Sequence, residues 1–199
     1  MFKNCKNSKS FFKRYLEVLN QTAQKIDLDD LDQILEILKS NIKKRSNIFV
    51  AGNGGAASVA NHLLCDFNKG IKISSKKKLL PKVISLANSI EYLTATSNDI
   101  KFSETFSSLL ENYGEKKDCL ILFSCSGTSK NIINAIKIAK NKKIKTVLIS
   151  GFCSKKNKNV NLHLDLKCKN YGITEDLFSS IMHMLSQYIR FQYDKNNTL

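Results

Sequence analysis

The sequence predicts an α/β fold, a five-stranded parallel sheet flanked by helices and preceded by N-terminal helices. Three observations lead there. From Asn47 onward, short apolar runs of four or five residues recur. Between these runs lie longer segments with apolar residues at helical spacing. Before Asn47 only helical spacing is found. Apolar strands alternating with helical segments imply a parallel sheet covered on both faces.

The elements follow in chain order. Phe11, Tyr15, Val18 and Leu19 mark a first amphipathic helix, and Leu31, Ile34, Leu35 and Leu38 a second, with Asp29 or Asp30 as its N-cap. These two helices span about 8–45 and are too short to fold alone, so the chain is read as one domain over 1–199 with its parallel core at about 46–193. Strands are expected over 48–51, 83–86, 120–123, 146–149 and 162–166. Helices are expected over 59–67, 90–96, 102–110 and 130–138. A last helix over 176–191 carries Leu177, Ile181, Leu185, Tyr188 and Ile189 on one stripe, and the polar tail from Asp194 is expected to fray. No internal repeat and no Pro/Gly/Ser linker divides the chain, and its single proline, Pro81, sits just before the second strand.

Composition narrows the function classes. At 42% apolar and 25% charged residues the chain is an ordinary globular one. No stretch approaches the ~20 apolar residues of a membrane span. The start is lysine-rich with Phe2, Phe11 and Phe12, but has neither the unbroken apolar segment nor the cleavage site of a signal peptide, which predicts a cytoplasmic protein. The net charge of +15 raises the question of nucleic acid. Against it, arginine occurs only at Arg14, Arg45 and Arg190, and the lysines are scattered along the whole chain. Specific DNA readers lean on arginine for bidentate base contacts. The charge is read instead as a lysine bias that also attracts a phosphorylated substrate. The six cysteines form no CxxC pair, which argues against a zinc ribbon or a thioredoxin motif and for free thiols.

In parallel sheets of this kind, ligands bind beyond the carboxyl ends of the strands. After the third strand comes Ser124-Cys125-Ser126-Gly127-Thr128-Ser129, and Lys130 then opens a helix. Four hydroxyls before a helix N-terminus, with a glycine to turn the backbone, make an anion cradle rather than a simple cap. After the first strand, Gly52-Asn53-Gly54-Gly55 allows a ligand close to the backbone, although alone it could be only a tight turn. In the helix behind it, His62 and Asp66 are four residues apart and share a face. Such a pair can bind a metal, act as acid and base, or simply hydrogen-bond on a solvated surface. Glu175 and His183 offer a second carboxylate and imidazole. His163 alternates with Leu162 and Leu164 and is expected to be exposed.

Taken together, the glycine loop, the serine-rich loop, the His62/Asp66 pair and His183 eight residues after Glu175 resemble the phosphoheptose isomerases of the SIS (sugar isomerase) domain family. The resemblance spans almost the whole chain. It implies an SIS-type three-layer sandwich, a homotetramer with active sites between subunits, and bound zinc. It also implies conversion of sedoheptulose 7-phosphate to D-glycero-D-manno-heptose 7-phosphate, an early step toward lipopolysaccharide or capsule heptose. By position, Asn53, Gly54, Gly55, Asn98 and Asp99 would contact the sugar, and Ser124, Cys125, Ser126 and Ser129 the phosphate. The metal positions hold His62, Asp66, Glu175 and His183, with Asp66 and His183 as base and acid, and Asp66 and Glu175 also touching substrate. Two of these depart from the family pattern: Asp66 stands for a glutamate and Glu175 for a glutamine, and Ala56 replaces a usual serine. The departures bring in two alternatives, an isomerase of another phosphosugar and a non-catalytic SIS protein-binding module.

Overall fold

Alternation along the strands decides the architecture. In β3 (Cys119–Ser124), Cys119, Ile121 and Phe123 join one core cluster and Leu120 and Leu122 the other, and the whole strand is buried. A strand buried on both sides needs cover on both sides. The computed structural model, which describes residues 1–153 and 155–193, supplies that cover in three layers. The other strands are β1 (Ile48–Gly52), β2 (Val83–Ser85), β4 (Lys145–Ser150) and β5 (Leu162–Asp165), all parallel in the order β2-β1-β3-β4-β5. One face packs α1 (Ser8–Ala23), α2 (Leu28–Lys44), α3 (Gly55–Leu64) and the last helix, α8 (Tyr171–Phe191). After α3 the helix widens into π-helical turns over Cys65–Ile71 and closes with α4 (Lys72–Ser74). The opposite face packs α5 (Ile90–Asp99), α6 (Thr105–Tyr113) and α7 (Lys130–Asn141). The expected fold is thus the observed one. No helix among the described residues is long and apolar enough to cross a membrane.

Several local expectations are corrected. The N-cap of α2 is Asp27, whose Oδ1 accepts from the amides of Asp29 (3.0 Å) and Asp30 (3.2 Å). A capping carboxylate must lie two or three residues ahead of the amides it serves, which places Asp29 and Asp30 in the first turn instead. The last helix starts at Tyr171, because Asn170 caps it by accepting from Ile173 N at 3.0 Å. Glu175 therefore stands on the helix rather than before it. His163 is only 5% exposed. Its alternation with Leu162 and Leu164 holds, but the preceding chain covers the far face, and Asn157 N–H donates to His163 Nδ1 at 2.8 Å. The frayed tail expected from Asp194 lies outside the described residues.

The π-helical turns are fastened to the sheet. Asn68 Nδ2 donates to Val83 O and Asn68 Oδ1 accepts from Val83 N, both at 2.9 Å, so one side-chain amide pairs with the outermost strand as a backbone would. On the same face, Phe178 of α8 lies fully buried against Phe123 of β3 with ring centroids 5.5 Å apart. Phe178→Ala is expected to remove about 3–5 kcal/mol of stability through the cavity it leaves, measured as a shift in the urea midpoint at unchanged m value.

Candidate functional site

The strand order creates one crevice. β1 pairs with β2 on one side and β3 on the other, and the ladder with β3 runs from Ile48↔Cys119 to Gly52↔Phe123. The chain leaves β1 for α3 on one face and leaves β3 for α7 on the other. At that switch point the two loops part and open a space above the strand ends.

The loop after β3 is shaped by its own hydroxyls. Gly127 N donates to Ser124 Oγ at 3.2 Å, and the Thr128 amide and hydroxyl both reach Ser126 Oγ, at 3.2 and 3.1 Å. Gly127 has φ +68°, the left-handed conformation a glycine adopts without strain. Ser129 is the N-cap residue of α7, yet its side chain makes no cap hydrogen bond, so its hydroxyl is left for a ligand. A cavity of about 90 Å³ lies here, lined by Asn53, Ala56, Phe123, Ser124, Cys125, Ser126, Ser129, Tyr171 and Glu175. Sites for whole small molecules start at about 300 Å³, so this cavity suits an anionic group and not an entire sugar.

Glu175 reaches into this cavity from α8. Its carboxylate lies directly over Gly55, where an added Cβ would fall 2.1 Å from Oε2. Cys125 Sγ is 4.0 Å from Glu175 Oε1. Burial first, and then the Glu175 charge, push the Cys125 thiol up to about 11. The thiol is therefore protonated near neutral pH and serves as a weak donor, not a nucleophile.

Further along the same two helices, three groups converge. His62 Nε2 lies 3.6 Å from Asp66 Oδ1, and His183 Nε2 lies 3.5 Å from Asp66 Oδ2. The two imidazole rings meet edge to face with centroids 5.2 Å apart. The carboxylate is the inner member, with 18% of its side chain exposed against 55% for His62 and 44% for His183. Asp66 Oδ2 is buried and has no hydrogen-bond partner. One ligand atom from each of the three residues lies within 4.8 Å of the others.

Of the residues singled out from sequence, the structure thus assembles two groups. Asn53, Ser124, Cys125, Ser126, Ser129 and Glu175 line the cavity, with Gly55 beneath the Glu175 carboxylate. His62, Asp66 and His183 form the second group, which Glu175 does not join. From Glu175 to His183 is eight residues, about 12 Å along α8. Gly54 is the N-cap residue of α3 and bears no side chain to cap it. Asn98 and Asp99 sit exposed at the end of α5, hydrogen-bonded to each other at 2.8 Å and outside the cavity. The sequence reading missed Asn131. Its amide pairs reciprocally with Asn53, at 3.0 and 2.8 Å, and ties the two loops together. The signal was an amide side chain in the first turn of an otherwise apolar helix stripe, beside Ile132 and Ile133.

Comparison with other proteins bears on the family and the fold. The SIS domain family matches the chain over residues 10–151. The phosphoheptose isomerase of Helicobacter pylori is 33% identical over 143 residues, covering 72% of each chain. That of Chlorobaculum parvum is 31% identical over 69% of this chain and 65% of its own length, so the chain aligns with just under two thirds of that relative. Among solved structures, a phosphoheptose isomerase from Francisella tularensis superposes with a TM-score of 0.80 at 21% identity, over 92% of this chain and 95% of the other.

Two outcomes follow from the geometry around Glu175. Gly55→Ala meets only the far end of a flexible side chain, so its cost to stability is expected to stay within about 1 kcal/mol by urea denaturation, with Glu175 displaced. Glu175→Gln removes a negative charge beside Cys125, so the thiol pKa falls from about 11 but stays above its ordinary value because burial remains. Faster alkylation of Cys125 at pH 9, followed by peptide mass spectrometry, checks the sign.

Proposed function

Because the chain belongs to the SIS domain family, in its phosphoheptose isomerase branch, we propose that it is an aldose–ketose isomerase that converts sedoheptulose 7-phosphate to D-glycero-D-manno-heptose 7-phosphate. The observation that carries this reading is the buried, unpartnered Oδ2 of Asp66 held between two imidazoles. Moving a proton between adjacent carbons needs a base and an acid within reach of the same two atoms. A desolvated carboxylate beside an imidazole is such a pair.

The phosphate would dock among the hydroxyls of the loop after β3, drawn by the positive end of α7. The carbon chain would then run alongside α3 and α8 toward Asp66, a distance that suits a long phosphosugar better than a triose. Asp66 takes the proton from the carbon beside the carbonyl, while His183 gives a proton to the carbonyl oxygen, and an enediol forms. His183 then takes back a proton from the neighbouring hydroxyl, and Asp66 returns its proton to the former carbonyl carbon. The atoms balance and both residues end as they began.

The same donors fit a divalent ion, since the orphaned Oδ2 and two imidazole nitrogens are the ligand types that zinc takes. His62, Asp66 and His183 would hold it, and Glu175 would join only by leaving Gly55 and Cys125. When bound, such an ion supplies Lewis-acid polarisation of a carbonyl oxygen. The reading includes a cytoplasmic homotetramer that supplies heptose for lipopolysaccharide or capsule. Exposed apolar side chains on α1 (Phe12, Leu16) and on α8 (Met184, Tyr188, Phe191) support the self-association. One observation favours a second reading, an isomerase of a different phosphosugar: the Glu175 carboxylate stands inside the anion cavity, where it adds a negative charge and a hydrogen-bond acceptor.

Incubation with sedoheptulose 7-phosphate, followed by NMR with and without added zinc, tests the reading. Product is expected from the native chain, while Asp66→Asn and His183→Gln lower kcat by about a thousandfold or more with circular dichroism unchanged. An inert native protein at every zinc level, or near-normal turnover in either variant, overturns it.

A further inference from the structure

A second polar network lies at the ends of β4 and β5, apart from the groups described so far. Asn157 N–H donates to His163 Nδ1 at 2.8 Å, which leaves that nitrogen bare and puts the ring proton on Nε2. His163 Nε2–H then donates to Ser150 Oγ at 2.8 Å, and the Ser150 hydroxyl donates to Asp165 Oδ1 at 2.6 Å. Every proton direction is thereby fixed. Ser150 is fully buried and His163 nearly so. The histidine donates to the serine and does not touch the aspartate, so this is not a nucleophile with its base.

The network ends against the anion loop. Asp165 Oδ1 also accepts from Cys153 N at 3.1 Å. The chain just before Cys153 grips the loop after β3, because Gly151 N and Phe152 N both donate to Cys125 O, at 3.0 and 2.9 Å. The turn at Gly127 rests on Cys153, where an added Cβ would fall 2.9 Å from Sγ and 3.8 Å from Ser150 Cβ.

We propose that His163, Ser150 and Asp165 are positioning residues for the anion loop, acting through residues 151–153 to fix the Cys125 carbonyl and the turn at Gly127. The proposal rests on the loop after β3 being the anion site. The brace needs a neutral imidazole, since a proton on Nδ1 would face the Asn157 N–H donor to donor. The groups facing His163 are Ser150 on β4, Asp165 on β5, Lys156 and Asn157 in the covering chain, and Asp30 on α2. Burial outweighs the two carboxylates and lowers the pKa of His163. The histidine is therefore neutral, and the brace closed, above the ordinary histidine value of about 6.5, and it opens as the pH falls from there through the lower folded value.

Sulfate, whose charge does not change in this range, is the probe. In His163→Ala its affinity, measured by calorimetry at pH 7.5, is expected to fall about tenfold. His163→Gln keeps one acceptor and one donor and is expected to recover to within about threefold of native. In both variants kcat at saturating substrate changes less than about threefold while KM follows the sulfate affinity. Native affinity in His163→Ala together with unchanged amide exchange in the loop, or a loss that glutamine does not recover, overturns the proposal. Should the alanine variant fail to fold, native protein and His163→Gln are compared from pH 7.5 to 5. Loss of sulfate affinity in the native chain alone supports the brace, and equal loss in both overturns it. Amide exchange of Gly127, Gly151 and Phe152 without any anion separates the two readings. Faster exchange in His163→Ala upholds the brace even if sulfate binds elsewhere, and unchanged exchange refutes it.

Discussion

The ladder between β1 and β3 is the constraint on which the site depends. Five residue pairs hold these strands in register up to Gly52 and Phe123, and they are joined across a reversal in strand order. The reversal sends α3 to one face and α7 to the other, so the glycine loop and the hydroxyl loop face each other across a gap. A slip of one residue would turn the strand side chains from one core cluster to the other and carry the loops with them. The reciprocal amide pair of Asn53 and Asn131 spans the same gap and pins the loops at a fixed distance.

Two helices then carry chemistry away from that gap in parallel. α3 starts beneath the Glu175 carboxylate at Gly55, and the π-helical turns that follow it hold Asp66. α8 starts at the anion cavity and brings His183 to Asp66. The polar groups are placed unequally. Around the small cavity, uncharged hydroxyls and an amide outnumber the single carboxylate of Glu175. His62, Asp66 and His183 lie at the other end, where the imidazoles are about half exposed and the carboxylate is mostly buried.

The strands, both loops and the pairing of His62 with Asp66 were legible in the sequence, because each depends on local pattern, whereas the approach of His183 to that pair was expected only from the family resemblance. Apolar runs mark buried strands, hydroxyls mark the start of α7, and a spacing of four puts His62 and Asp66 on one helix face. What was not legible depends on distant chain. Asn131, Ser150 and Asp165 are ordinary residues whose roles come from partners 78, 13 and 12 residues away. His163 has the alternation of a half-exposed strand, and the path of the preceding chain at Asn157 covers it. The start of α8 was missed because Asn170 caps it through a single side-chain bond, which periodicity does not register. Glu175 was grouped with the histidines by resemblance, whereas the helix places it about two turns earlier.

The anchoring of Asn68 has a thermal consequence. Asp66 and Asn68 share the same π-helical turns, and Asn68 is bonded to the first residue of the three-residue outermost strand. Short peripheral strands are the parts of a sheet that open at the lowest free energy. When β2 detaches, the segment bearing Asp66 loses the two Asn68 hydrogen bonds that tie it to that strand. On heating, the arrangement of Asp66 with His62 and His183 would therefore loosen before the remaining four strands melt.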